Sequence, residues 1–163
     1  MTSSTRPDDP AAKKKGTPGA FSRWVQHKAN ARTNRKIRRG DETVMGMNML
    51  ILHTVGRRSG QPRETPLAWF PEDDGARLIV ASGGGTQNPD WHANLMANPD
   101  RTSIELPGRG RVAVTPHQLD GAEREHAWQR IAAAQPRMAK YQSKSGRVYP
   151  VIRLTPVDRF PQS

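Results

Sequence analysis

Cysteine is absent from the 163 residues, so the chain has no disulfide, no thiolate metal site and no cysteine nucleophile, as expected of a reducing compartment. Aromatic residues make up 6% and hydrophobic residues 34%, and no apolar run approaches the roughly 20 residues that a helix needs to cross a bilayer. Membrane-spanning helices are excluded. Residues 1–20 hold no apolar stretch of secretory type, so a cytoplasmic location is expected. The five histidines, His27, His53, His92, His117 and His126, show neither HxH nor HExxH spacing, which argues against zinc. Ser59 and Ser82 stand in no nucleophile elbow, so serine hydrolysis has no support.

Positive charge is abundant, and its placement matters more than its sum. The formal net charge is +11; the first 40 residues hold eleven Lys and Arg against two Asp, and the rest hold fifteen against thirteen acidic residues. A uniformly basic body would favour nucleic acid. A nearly neutral body with a basic arm instead suggests an appendage that meets an anionic surface. Residues 1–20, rich in Ser, Thr, Pro, Gly and Lys, read as a disordered basic tail. Residues 21–40 read as a basic helical arm, from an N-cap at Ser22 to Arg39, with Phe21, Trp24, Val25 and Ala29 on one side. Besides nucleic-acid binding by the arm, two readings stay open. One is an anchor on anionic lipid, peripheral at the inner face of the membrane, each basic residue contributing on the order of 1 kcal/mol before screening. The other is a solvated helix that packs Trp24 on the body.

Residues 41–163 read as one β-rich domain. Met47 to Val55 is a continuous apolar run of strand length, the pattern of a strand buried on both faces. Gly56 to Pro62 is a turn, Thr65 to Phe70 a second strand, Pro71 to Gly75 a hairpin loop and Arg77 to Ala81 a third strand. A helix from Asp90 to Ala97 follows, closed by Asn98-Pro99. Thr102 to Leu106 and Arg111 to Thr115 form a hairpin, Gly121 to Ala134 a helix that stops before Pro136, and Val148 to Leu154 the last strand. Six antiparallel strands with two peripheral helices predict a mainly β (α+β) fold, a small barrel or curved sheet rather than a doubly wound one.

Two segments carry candidate chemistry. Arg57, Arg58, Ser59, Gly60, Gln61 and Arg63 combine a glycine-permitted turn, a hydroxyl and three guanidinium groups, which suits a phosphate or carboxylate. It is neither a Walker loop nor a dinucleotide fingerprint. A surface hairpin that happens to carry arginines is the competing explanation. The loop Ser82, Gly83, Gly84, Gly85 precedes the helix bearing Trp91 and Asn94, spaced i and i+3 on one face. Glycines there would let backbone amides approach a planar ring, whereas Trp91 as a core anchor and Asn94 as a loop tie would need no ligand. Tyr141 is one of two tyrosines and could donate a hydrogen bond to a substrate oxygen or simply pack at the barrel rim.

The stretches TVGRRSGQPRETPL, ASGGGTQNPDWHANLMANP and YQSKSGRVYPVIRLTP together resemble, in order and spacing, the deazaflavin (F420)-dependent nitroreductase family, also called F420H2-dependent quinone reductases. The resemblance runs from about Met47 to Pro156. It implies a split β-barrel that binds coenzyme F420 and passes a hydride to a quinone or another electron-poor acceptor. By position, Arg57, Arg58, Ser59, Gln61 and Arg63 would hold the coenzyme's phosphate and acidic tail, and Thr65 and Pro66 would line the same wall. Ser82, Gly83 and Gly84 would approach the deazaflavin, with Asn88, Trp91 and Asn94 completing the pocket. The family commonly has lysine where Gly83 stands. Its tyrosine-rich substrate segment aligns with Gln135, Met138 and Tyr141, so Met138 and Tyr141 are the substrate-side candidates. Other split barrels use FMN or haem, and a basic-armed module for lipid or nucleic acid is the non-enzymatic alternative. Monomer and dimer are both compatible with the sequence.

Overall fold

The computed structural model describes residues 30–40, 43–44, 47–83 and 87–157. The tail at 1–20, the arm's Trp24 face and Gly84 lie outside them.

Among the described residues eight antiparallel strands form one sheet: β1 (Thr43–Val44), β2 (Met47–Val55), β3 (Pro62–Ala68), β4 (Phe70–Pro71), β5 (Arg77–Val80), β6 (Ser103–Leu106), β7 (Gly110–Gln118) and β8 (Val151–Pro156). Their order is β1-β2-β6-β7-β8-β5-β4, with β3 also on β2. Only Trp69 separates β3 from β4, so residues 62–71 are one bent strand whose first part pairs with β2 and whose end pairs with β5. That bend returns the sheet on itself as a six-stranded barrel. β7 bends likewise, pairing with β6 through Ala113 and with β8 from Val114. The six expected strands are therefore present, with β4 as the end of the second, and β1 is a two-residue addition.

Strand alternation sorts the side chains into three clusters. The barrel interior holds Leu50, Leu52, Ile79, Ala81, Ile104, Val114, Ile152 and Leu154, closed at one end by Trp91 and Leu95 of α2 (Asp90–Ala97). On the outside of β5, Leu78 and Val80 pack under Ala127, Trp128 and Ile131 of α3 (Gly121–Ala134). On the outside of β2, Met49 and Ile51 receive Ile37 from α1, helical over residues 30–38. β2 is thus covered on both faces, as its unbroken apolar run predicts. Arg38 of the same helix pairs with Glu64 at 2.7 Å and Glu105 at 2.9 Å, and His53 meets Glu105 at 2.8 Å.

One element departs from the expected order. Pro136 does not merely end α3; it occupies the first turn of a further helix, α4 (Pro136–Ser145). Proline is tolerated there because that N–H has no intrahelical acceptor anyway. Met138 and Tyr141 consequently lie on a helix and not on a loop. The last strand begins at Val151, not Val148, since Val148 is exposed and Pro150 cannot donate to a ladder.

Candidate functional site: two arginine-tied loops at one end of the barrel

The turn after β2 closes through its own backbone. Gly56 N–H donates to the Gln61 carbonyl at 2.8 Å, and Gly60, at φ 69°, donates to the Gly56 carbonyl at 2.9 Å. Ser59 folds over Gly56, where an added Cβ would stand 2.5 Å from the Ser59 Oγ, so position 56 admits no side chain without moving Ser59. That Oγ accepts from the Gln61 N–H at 3.2 Å and from Arg63 Nη2 at 3.5 Å.

The three arginines of this turn divide. Arg57 points at α2: its backbone N–H and its Nη1 both donate to Asn94 Oδ1, at 3.1 and 2.9 Å, and Nη2 lies 3.5 Å from Asp90 Oδ1. Arg58 is exposed and engages no partner among the described residues. Arg63 touches only the Ser59 hydroxyl there. Two guanidinium groups thus remain available to an anion, while the third ties the turn to the helix that follows β5.

The second segment, residues 81–83 and 87–89, leads into α2. Arg147 Nη2 donates to the carbonyls of Ala81 (3.2 Å), Ser82 (3.4 Å) and Gly83 (2.9 Å), and Nη1 donates to Asn88 Oδ1 at 2.6 Å. Among the described residues, a Cβ added at Gly83 would meet only Pro89 Cβ, at 3.9 Å. Trp91 is buried in the barrel core, so it anchors α2 from within. Both asparagines of NPDWHAN therefore act on arginines, Asn88 on Arg147 and Asn94 on Arg57. Sequence reasoning missed Arg147 and Asp90. No local pattern reports a partner some 60 residues away.

Thr65 and Pro66 do not share a wall. Successive strand residues face opposite sides, and the register sets Thr65 beside Leu52, toward the interior, and Pro66 beside Ile51, toward α1. Met138 is half-buried against the cluster under α3, and Tyr141 is 56% exposed. On the same helix, Gln142 Oε1 accepts from Arg124 Nη2 and from the Tyr149 N–H, each at 2.9 Å. Among the described residues the one group that could ligate a metal is His53, Glu64 and Glu105, brought together from three strands, and Arg38 already occupies both carboxylates.

The chain is 31% identical over 145 residues, 83% of this chain and 97% of the relative, to an F420H(2)-dependent quinone reductase of Mycobacterium tuberculosis. A solved F420-H2 dependent reductase matches at a TM-score of 0.57 and 35% identity, covering 65% of this chain and 92% of that one. Another solved structure, described as a domain-swapped dimer, matches at 0.59 and 31% identity over 83% of this chain and 99% of that one. No helix among the described residues is long and apolar enough to cross a membrane. The sequence profile of the F420H(2)-dependent quinone reductases matches residues 24–156, and the chain belongs to that family.

Proposed function

We propose that the chain binds reduced F420 across the 56–63 turn and the 81–94 segment and that a quinone is the acceptor. The observation that carries this is the split among the turn's arginines. Arg57 is engaged in fixing the turn to α2, which leaves Arg58 in the turn and Arg63 at the start of β3 without a carboxylate partner among the described residues. Their donor chemistry fits the phosphate and acidic tail of the coenzyme, since planar guanidinium forks bind such groups bidentately. Gly83, which carries no side chain, fits the approach of a flat ring.

The bound coenzyme supplies the hydride, and the protein needs no nucleophile of its own. Arg58 and Arg63 hold charge. Ser59 and Gln61 keep the turn in shape, Asn94 and Asp90 keep Arg57 from competing for the anion, and the buried Trp91 fixes the helix beneath. Orientation of donor and acceptor is the main contribution such a scaffold makes to rate. Met138 and Tyr141 on α4 form the acceptor side, with the Tyr141 hydroxyl free to donate to a quinone oxygen.

Titration of the purified protein with F420, and with FMN as comparator, tests the assignment. F420 should bind in the micromolar range or tighter and FMN should not; equal or stronger FMN binding, or wild-type affinity in both Arg58→Ala and Arg63→Ala, would overturn it.

Delivery to a membrane-held quinone is the finer part of the proposal. It rests on Arg32, Arg35 and Lys36, exposed along α1, and on exposed Arg39 just after it. Sedimentation with vesicles of anionic and of neutral lipid checks it: binding to neither would remove the membrane from the reading.

A further inference from the structure

Arg147 is built into place before it touches anything at the site. α4 ends at Gly146, whose φ of 73° is a left-handed cap that glycine adopts without cost. The Ser145 hydroxyl donates to the Gln142 carbonyl at 2.7 Å and accepts from the Arg147 N–H at 3.2 Å, which locks the turn. The guanidinium then lies 4.6 Å over the ring of Tyr149, itself buried and set edge-on against Trp128. From that seat it reaches three successive carbonyls and Asn88. Three carbonyls turned toward one cation fix the peptide planes of residues 81–83, and with them the direction in which the next amides point.

We propose that Arg147 is a positioning residue that shapes the 81–83 segment and Asn88 to receive the deazaflavin, an inference that rests on the F420 reading above. It would act on the cofactor only through the backbone and the Asn88 side chain that it holds. The fork is essential to this: a planar group with several fixed donors can serve four acceptors at once, whereas a lysine ammonium is a compact point on a flexible stem. The segment carries no side chain able to replace it, since Ser82 and Gly83 offer one hydroxyl between them. Arg147 stands in for rigidity that the glycines do not supply.

The test uses Arg147→Ala, Arg147→Lys and Asn88→Ala in the full chain, with Arg130→Ala as control, because Arg130 pairs with Glu72 elsewhere on the surface. Two readouts are taken: equilibrium affinity for F420, and amide hydrogen exchange at Ser82, Gly83 and Asn88 in the cofactor-free protein. Arg147→Ala should weaken F420 binding about tenfold or more, the scale of a lost set of charge-assisted bonds, and speed exchange at those amides. Arg147→Lys should recover at most part of both, and Asn88→Ala should show a smaller loss. Arg130→Ala should change neither. Unchanged affinity and exchange in Arg147→Ala, or full recovery with lysine, would overturn the proposal. Should Arg147→Ala fail to fold, Asn88→Ala decides by the same two readouts. If the wild-type protein does not bind F420, the functional reading fails instead, and the exchange data alone decide whether Arg147 holds the segment.

Discussion

Asn94 Oδ1, buried on α2, accepts two hydrogen bonds from a single residue 37 positions earlier, the backbone N–H of Arg57 at 3.1 Å and its guanidinium at 2.9 Å. The pair joins the turn after β2 to the helix after β5, the two segments that would hold opposite ends of a long cofactor. An asparagine serves because its carbonyl has two lone pairs and no charge to attract the ligand's cationic partners.

Asn94→Ala should therefore act at a distance from any ligand. Loss of the acceptor leaves a partly buried N–H unpaired, a cost of about 1–3 kcal/mol in stability. Chemical denaturation should show that loss, and F420 affinity should fall with it; an unchanged midpoint would mean that water replaces the amide at no cost.

Arg58→Ala and Arg63→Ala should do the opposite. Both side chains are exposed, and neither pairs with a carboxylate among the described residues, so stability should stay within about 0.5 kcal/mol of wild type. Cofactor affinity should drop roughly tenfold for each, and the wild-type affinity should weaken as salt is raised, because ions screen exposed charges. Titration at two salt concentrations checks both points, and salt-independent binding would argue against the arginines.

Ile37→Ala tests how α1 is held. The side chain is fully buried against Met49 and Ile51, so its truncation should cost about 2–5 kcal/mol. Denaturation of the full chain measures this directly. A cost under about 1 kcal/mol would show that the Arg38 ion pairs, rather than apolar packing, seat the helix.

Those ion pairs set an acid limit. Burial would raise the Glu105 carboxyl, but hydrogen bonds from Arg38 and His53 outweigh it and hold the group below its usual range. A lowered native value means that the unfolded chain binds the proton first, so stability is present above the ordinary glutamate pKa of about 4.3 and is lost as pH falls through the native value. Glu105→Gln should be less stable than wild type near neutrality and lose less on acidification, as melting temperatures across the acid range would show. Parallel curves for the two proteins would mean that Glu105 does not carry the effect.

Much of this was written locally. The apolar run Met47 to Val55, the glycines of GRRSGQP and the Asn-Pro boundaries of α2 each specify an element by rules that span a few residues, and the six barrel strands follow from them. Family resemblance drew the candidate residues from the same segments. Pro136 misled because one residue type both ends and begins helices, and the sequence near it favours neither. The resemblance put Thr65 and Pro66 on one wall, but neighbouring residues of a strand face opposite sides.

What the chain alone determined is therefore where it turns, which strand is buried on both sides, and which short turn gathers three arginines. Only the folded barrel decided who holds whom: Arg57 with Asn94, Arg147 with Asn88 and the carbonyls of 81–83, Arg38 and His53 with Glu105. The reason is geometric. These partners are 37 to 67 residues apart, and only once the strand bent at Trp69 joins β2 to β5 do the loops at the barrel's end come within reach of one another.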